Sequence, residues 1–181
     1  GAAVLVYTSG TTGKPKSFIL SRGNIAANVA AILDEGILGP RDRVALPLPL
    51  HHAYPLVVGL ITSFAAGASV VLPAAATGSA IASALERTQP TVLIGVPRLY
   101  TALLAGIEGR ARAAGGLARL AFRGFAGLSR GLRKLGLNAG RLLFRPVHAH
   151  MGGRLRIMVS GGAKLEATAQ RKLEAFGFDM M

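Results

Sequence analysis

The chain has 181 residues, 51% of them hydrophobic, which suffices for one domain with a sizeable core and excludes a disordered chain. It has no cysteine, so disulfide scaffolds, thiolate metal sites and cysteine nucleophiles are excluded. Lys and Arg number 21 against 8 Asp and Glu, a formal net charge of +13 that suits an anionic partner: nucleotide, nucleic acid, acidic lipid or phosphorylated cofactor.

Ala3–Tyr7 reads as a short apolar core strand, Thr8–Lys16 as a polar loop, and Phe18–Leu20 as a second strand. Asn24 is a candidate N-cap for a helix running to about Glu35 and ending near Gly36. Arg43–Leu46 reads as a strand stopped by Pro47 and Pro49. The apolar run Pro55–Leu72 is long enough to raise a membrane span. It divides better into a buried helix from Leu56 to Ala65, a stop at Gly67 and a buried strand from Ser69 to Leu72. A helix over Ser79–Arg87, a buried strand over Thr91–Ile94 and a helix opened by Pro97 follow. Arg154–Val159 predicts a strand, and Glu166–Ala175 a helix. Strands alternating with helices predict an α/β domain with a largely parallel sheet flanked by helices. A start at Gly1 in a strand pattern and an end at Met181 without a polar tail predict a fragment of a longer polypeptide.

Thr8-Ser9-Gly10-Thr11-Thr12-Gly13-Lys14-Pro15-Lys16 gathers hydroxyls, glycines and two lysines in nine residues. Glycines let backbone N–H groups turn toward an anion, hydroxyls add donors and lysines add charge, which is what a polyphosphate requires. It is not a Walker A loop, since Thr8 stands at the first glycine position and Pro15 follows Lys14. The competing reading is a solvated turn between hairpin strands.

The string Tyr7–Lys16 resembles the phosphate-binding signature of the adenylate-forming superfamily, which includes acyl-CoA synthetases, peptide-synthetase adenylation domains and beetle luciferases. Ser21-Arg22-Gly23-Asn24 resembles the Thr-His-x-Asn that follows in that family, with Arg22 in place of His; Ser17 replaces the usual Gly. Leu46–Tyr54 resembles the second core motif, Gly95–Tyr100 the strand-to-helix element lining the acyl side, and Val159–Ala163 the adenine-binding turn, with Lys164 where Pro is usual. The stretch between Tyr100 and Arg154 is longer than the minimal family connection and resembles the helical region of bacterial long-chain fatty-acyl-CoA synthetases. The chain is therefore identified as part of the large N-terminal domain of such an enzyme, residues 1–181 being a partial AMP-binding domain without the C-terminal lid domain.

The resemblance implies a two-step reaction. A carboxylate attacks the α-phosphate of ATP to give an acyl-adenylate and pyrophosphate, and coenzyme A then displaces AMP. It assigns Thr8, Ser9, Gly10, Thr11, Thr12, Gly13, Lys14 and Lys16 to the β- and γ-phosphates, with Lys16 the principal cation, and Gly161, Gly162 and Ala163 to the adenine wall. His52, rather than His51, orients the carboxylate or stabilises charge at the α-phosphate; a histidine packed at a strand end is the plain alternative. Tyr54 and Gly95 line the acyl side, and for Tyr54 a core aromatic is an equal reading. Mg²⁺ is implied as a cofactor, its Glu ligand lying beyond Met181, and no metal site is assigned within the chain. His148 and His150 lack acidic or cysteine partners nearby and are not read as ligands. With the metal carboxylate, a ribose Asp and the lid Lys outside the chain, residues 1–181 alone are expected not to catalyse the full reaction.

No acidic residue occurs between Glu108 and Glu166. Leu117, Ala121, Leu128, Leu132 and Leu135 follow helical spacing, with Arg119, Arg123, Arg130, Arg133 and Lys134 on the other side. This suits either a solvated face of a helix packed on the domain or a helix resting on an anionic membrane. Gly124, Gly127 and Gly131 weaken a continuous helix, each by about 1 kcal/mol relative to Ala. Nucleic acid is not expected as a partner, since no aromatic-rich basic motif is present. The expected location is the cytoplasm, with peripheral contact at the inner face of the membrane. The rival to the enzyme reading is a non-catalytic membrane- or polyanion-binding module using residues 117–135.

Overall fold

The computed structural model describes residues 1–8 and 16–181. Strands β1 (Ala2–Thr8) and β2 (Lys16–Ser21) form an antiparallel hairpin separate from the main sheet, its ladder running from Ala2 opposite Ser21 to Thr8 opposite Lys16. The sequence reading puts the first strand in the core, and this is corrected. Among the described side chains of β1 only Val6 is buried, while Leu5, Tyr7 and, on β2, Ile19 face solvent. A two-stranded ribbon has no second layer on that face, so the apolar pattern of β1 does not report burial here.

Helix α1 (Arg22–Asp34) begins one turn earlier than its expected start. Ser21, not Asn24, is the N-cap: its hydroxyl accepts from the Asn24 N–H at 3.1 Å, and the Asn24 side chain accepts from the Ser21 N–H at 3.1 Å. The pair is a reciprocal cap in which Asn takes the place of the usual Glu or Gln.

The main sheet has five parallel strands in the order β4-β3-β5-β6-β7, comprising β3 (Arg43–Ala45), β4 (Ser69–Val71), β5 (Val92–Gly95), β6 (Ile157–Ser160) and β7 (Asp179–Met180). The apolar run that raised a membrane span is a π-helix (Pro55–Ile61) continuing into α2 (Thr62–Ala65), a turn at Gly67 (φ 74°) and β4. No described helix is long and apolar enough to cross a membrane. The wide turns have an identifiable support. Gly59 lies against Leu46, where an added Cβ would come within 2.6 Å of a Leu46 methyl, and Thr62 donates its hydroxyl to the Val57 carbonyl at 2.9 Å.

Helices α3 (Gly78–Thr88), α4 (Pro97–Ala113), α5 (Gly116–Lys134), α6 (Gly140–Leu143), α7 (Arg145–His150) and α8 (Ala167–Ala175) complete the chain. Side chains alternate across the sheet. Ala45, Leu93 and Met158 face the layer built by Ile81, Tyr100, Leu104 and Leu173. Val44, Val92, Ile94 and Ile157 face the opposite side, with Leu46, Leu60 and Ala68. Three glycines do not interrupt α5, because that helix is held by the layer beneath it. Phe122 meets Phe144 edge-on at 5.1 Å and Phe176 at 5.3 Å, and Arg133 pairs with Asp179 at 2.7 Å.

Asp42 ties three strands at their N-terminal ends. Its carboxylate receives Arg156 at 2.8 Å, the Thr91 hydroxyl at 2.6 Å and the Gly39 N–H at 3.0 Å. Burial pushes its pKa up. The bonds from Thr91 and Arg156, with the Gly39 N–H and the Arg156 charge, outweigh that, so the carboxyl sits below its ordinary value. A carboxyl with a lowered folded pKa adds stability that is complete above the unfolded pKa, near 4, and is lost as pH falls through the folded value. Asp42→Ala should therefore cost about 2 kcal/mol at neutral pH, discounted from a fully buried pair because Arg156 is partly exposed. Urea unfolding at pH 7 and below pH 4 checks this: the difference between wild type and variant should shrink in acid.

Candidate active site at the carboxyl ends of the sheet

Chain order locates the site before any side chain does. From β3 the chain leaves through the π-helix on one face of the sheet to reach β4; from β5 it leaves through α4 on the other face to reach β6. The carboxyl ends of β3 and β5 are thus a topological switch point, where the outgoing segments part and open a crevice. The segment after β3 carries His51, His52 and Tyr54. β5 itself ends at Gly95, and the segment after β6 carries Gly161, Gly162 and Ala163. Three of the predicted motifs therefore converge on one edge.

Tyr54 is the centre of the convergence. Its hydroxyl lies 3.2 Å from the Gly95 carbonyl and 3.3 Å from the Val159 carbonyl, bridging β5 and β6. Burial raises its pKa to about 12. Tyr100, wholly buried beneath, reaches the same Val159 carbonyl at 2.7 Å and the Leu93 carbonyl at 2.8 Å. Its pKa is pushed well above the ordinary tyrosine value by burial first and by the neighbouring Tyr54 second. The Gly161 N–H donates to the Gly95 carbonyl at 3.1 Å. A Cβ on Gly161 would enter the Tyr54 ring, and one on Gly95 would come within 3.0 Å of the Tyr100 hydroxyl. Gly162 has φ 79°, which L side chains rarely adopt. Both Gly95 and Gly161 are thus required by protein packing alone. Tyr54 is a half-buried packing residue that fixes the loop after β3 against the ends of β5 and β6.

His51 and His52 are exposed, with ring centroids 4.3 Å apart. The His52 backbone is held at both ends, its N–H on the Pro49 carbonyl at 3.4 Å and its carbonyl receiving the Leu56 N–H at 3.2 Å. The imidazole is thereby presented at the entrance to the helical turn that Pro55 opens. Ser160 was not singled out from the sequence. Its hydroxyl is buried at the end of β6 with no hydrogen-bond partner, and its place beside Gly161 in the motif was the available signal. Ala163 is exposed. Lys16 is exposed at the end of the hairpin, opposite Thr8, and the seven positions between them fall outside the described residues. Of the predicted phosphate ligands, Ser9, Gly10, Thr11, Thr12, Gly13 and Lys14 lie there.

An apolar cavity of about 440 Å³ lies between α3 and α4. Ile81, Leu85, Leu99, Leu103, Ile107 and Met151 line it, and Leu99 is four residues after Gly95. Among the described residues no group of three or more His, Asp or Glu could hold a metal ion.

The family model described as AMP-binding enzyme matches residues 1–180. Sulfoacetate–CoA ligase from Cupriavidus necator is 42% identical over 111 residues, 61% of this chain and 22% of that enzyme. Long-chain-fatty-acid–CoA ligase 2 from Schizosaccharomyces pombe is 33% identical over 181 residues, 94% of this chain and 26% of that enzyme. A malonyl-CoA ligase solved as a ternary product complex with methylmalonyl-CoA and AMP superposes with a TM-score of 0.65 at 26% identity, covering 99% of this chain and 31% of that one. The chain spans about a quarter of the length of the curated relatives it matches.

Tyr54→Phe should cost about 1 kcal/mol, the net worth of one hydrogen bond. A raised tyrosine pKa contributes stability below the unfolded value, near 10, that is lost as pH rises through about 12. The variant should accordingly unfold less steeply than wild type between pH 10 and 12, followed by circular dichroism. Gly161→Ala should cost about 1–3 kcal/mol through the collision with the Tyr54 ring, and Tyr54→Leu should recover part of that loss in the double variant.

Proposed function

Because the chain belongs to the AMP-binding enzyme family, we propose that it is part of the N-terminal large domain of an acyl-CoA synthetase. That enzyme activates a carboxylic acid with ATP and passes the acyl group to coenzyme A. The observation that carries this reading is the meeting of His52, Tyr54, Gly95 and Gly161 at the switch point of a parallel sheet, in a chain matched along its length by the family. Such a crevice is where an open α/β sheet takes a ligand. Family membership favours the ligase over a non-catalytic module.

In this reading Thr8–Lys16 takes the β- and γ-phosphates, and Gly161, Gly162 and Ala163 pass close to the adenine. The bridge made by Tyr54 holds these strand ends together while the exposed His52 faces the reacting carboxylate. Phosphoryl chemistry of this type rests on positioning and charge neutralisation, which a fixed strand edge and a lysine can supply. Mg²⁺ would neutralise phosphate charge, and we propose that its Glu ligand lies beyond Met181. The cytoplasm, where ATP and coenzyme A are both abundant, is the matching location.

For the acid we propose a long-chain fatty acid. Relatives named long-chain ligases align with 90% or more of the chain, whereas the sulfoacetate and feruloyl enzymes align with 61% and 56%. The apolar cavity starting at Leu99 suits a hydrocarbon, each buried methylene contributing about 0.8 kcal/mol.

Two measurements on the complete enzyme test these proposals. Lys16→Ala should lower acid-dependent ATP–pyrophosphate exchange at least tenfold, since a charged hydrogen bond is worth about 1.5–3 kcal/mol; wild-type exchange would remove Lys16 from the phosphate site. A competitive panel of acids should favour chains of about twelve carbons or more. Preference for sulfoacetate, an aromatic acid or malonate would overturn the substrate assignment and leave the ligase reading in place.

A further inference from the structure

His148, the buried histidine of α7, is 4% exposed and has no part in the proposed chemistry. Its Nε2 lies 2.8 Å from the Phe176 carbonyl, in the turn between α8 and β7. A carbonyl only accepts, so Nε2 carries the proton and donates. Nδ1 is then the bare nitrogen, and it is buried with no hydrogen-bond partner. The ring packs on Phe178 with centroids 4.4 Å apart. The same turn is seated backbone to backbone. A Cβ on Gly140 would come within 2.4 Å of the Gly177 nitrogen, and the Asn138 amide donates to the Gly177 carbonyl at 3.3 Å. These groups are closed off by their own neighbours, so further chain around them deepens their burial and cannot reverse it. The charge acting on the ring is that of Arg141 on α6, whose guanidinium is held on the Gly153 and Leu155 carbonyls. Arg145, on α7 itself, lines the same cleft, and His150 is exposed with its Nδ1 on the Pro146 carbonyl. Charges on the other neighbouring elements are engaged elsewhere or face solvent. On α8, Glu174 accepts from Gln170 at 2.9 Å, Lys172 pairs with Glu108 and Arg171 is exposed; Asp179 of β7 pairs with Arg133. Glu86 and Arg87 of α3, which packs on α7, are exposed.

A second proton on this ring would sit on Nδ1, where no acceptor meets it and the Arg141 charge opposes it. Burial holds the imidazole pKa below its ordinary value; the bond to Phe176 works against this, and the Arg141 charge adds to it. Protonation is relieved by moving the ring toward water through the cleft between Arg141 and Gly153, which breaks the bond to Phe176. The turn so released leads directly into β7. There the Asp179 N–H donates to the Arg156 carbonyl at 3.0 Å and the Met181 N–H to the Met158 carbonyl at 3.0 Å. The Ser160 N–H returns a bond to the Met181 carbonyl at 2.7 Å, one residue before Gly161. We propose that His148 is an acid-sensitive latch: neutral, it holds the α8–β7 turn on α7; protonated, it lets that turn and β7 loosen from the edge of the sheet beside the crevice. A histidine whose folded pKa is the lower one contributes stability that is complete above the unfolded value, about 6.5, and is lost as pH falls from there through the folded value. The proposal stands on the packing and does not require the ligase reading.

The test is hydrogen exchange of the full polypeptide, read by mass spectrometry from about pH 7.5 to about pH 5.5 and corrected for the intrinsic pH dependence of exchange. Amides of residues 176–181 should lose protection at least threefold over that range relative to those of β5, about tenfold per pH unit being the ceiling for one proton. His148→Gln keeps a side-chain donor for the Phe176 carbonyl and does not titrate, so its protection should stay level across the range. His150→Gln, two residues away and exposed, should behave as wild type. Level protection in wild type overturns the proposal, and so does a loss that persists in His148→Gln or disappears in His150→Gln. If His148→Gln does not fold, the titration of the wild-type His148 imidazole by NMR, assigned through its contact with the Phe178 ring, decides the matter. A midpoint below about 6.5 supports the latch, and one at or above that value overturns it.

Discussion

The close pairing of β5 and β6 at their carboxyl ends is the constraint on which the rest of the site depends. Parallel strands are joined by slanted backbone bonds that end with the ladder, and beyond it each chain is free to diverge. Here they are kept together by two phenols that share the Val159 carbonyl, one from the loop after β3 and one from α4. The arrangement works only because positions 95 and 161 carry no Cβ. Tyrosine suits it because its ring fills the apolar space beneath the strands and its hydroxyl finds a carbonyl at the end of that reach.

From this pairing the loop after β3 inherits its position. Tyr54 is the last residue before the π-helix, so anchoring its ring also anchors the start of that helix and, two residues back, the exposed His52. The wide helical turn then sits on Leu46 through the missing side chain of Gly59. The loop is thus determined at both ends by packing, and the histidines between are left to solvent. A side chain that must meet a ligand is carried by a backbone that has no alternative, which is the usual division of labour between scaffold and loop.

The parallel sheet, its order of elements and the three strand-end motifs were all legible in the sequence, because buried parallel strands read as short apolar runs and the motifs sit where those runs stop. The same rule misplaced β1, whose apolar pattern ends up on an exposed ribbon, and missed β7, whose two residues are too few to leave a pattern. Asn24 announced a helix start correctly in kind but one turn late, since Ser21 and Asn24 cap each other. In α5 the spacing of leucines was read correctly as helical, yet spacing cannot say which face meets the domain. Phe122, outside the leucine stripe, decided that by joining Phe144 and Phe176. Ser160 lies within the Val159–Ala163 motif, and the pattern alone does not show that its hydroxyl is buried without a partner.

The sheet is secured at both ends by unlike means: Asp42 with Thr91 and Arg156 below, and the two tyrosines above. Like two pins through a stack of cards, this leaves the strands no slip. A shift of β6 by two residues would keep its apolar faces in place, and hydrophobic pattern alone would tolerate it. It would also move Arg156 about 6.6 Å from Asp42 and carry the Val159 carbonyl away from both phenols. Misaligned sheets in this protein are therefore rejected by polar groups at the margins of the core, and alignment of the strands and assembly of the crevice become a single event.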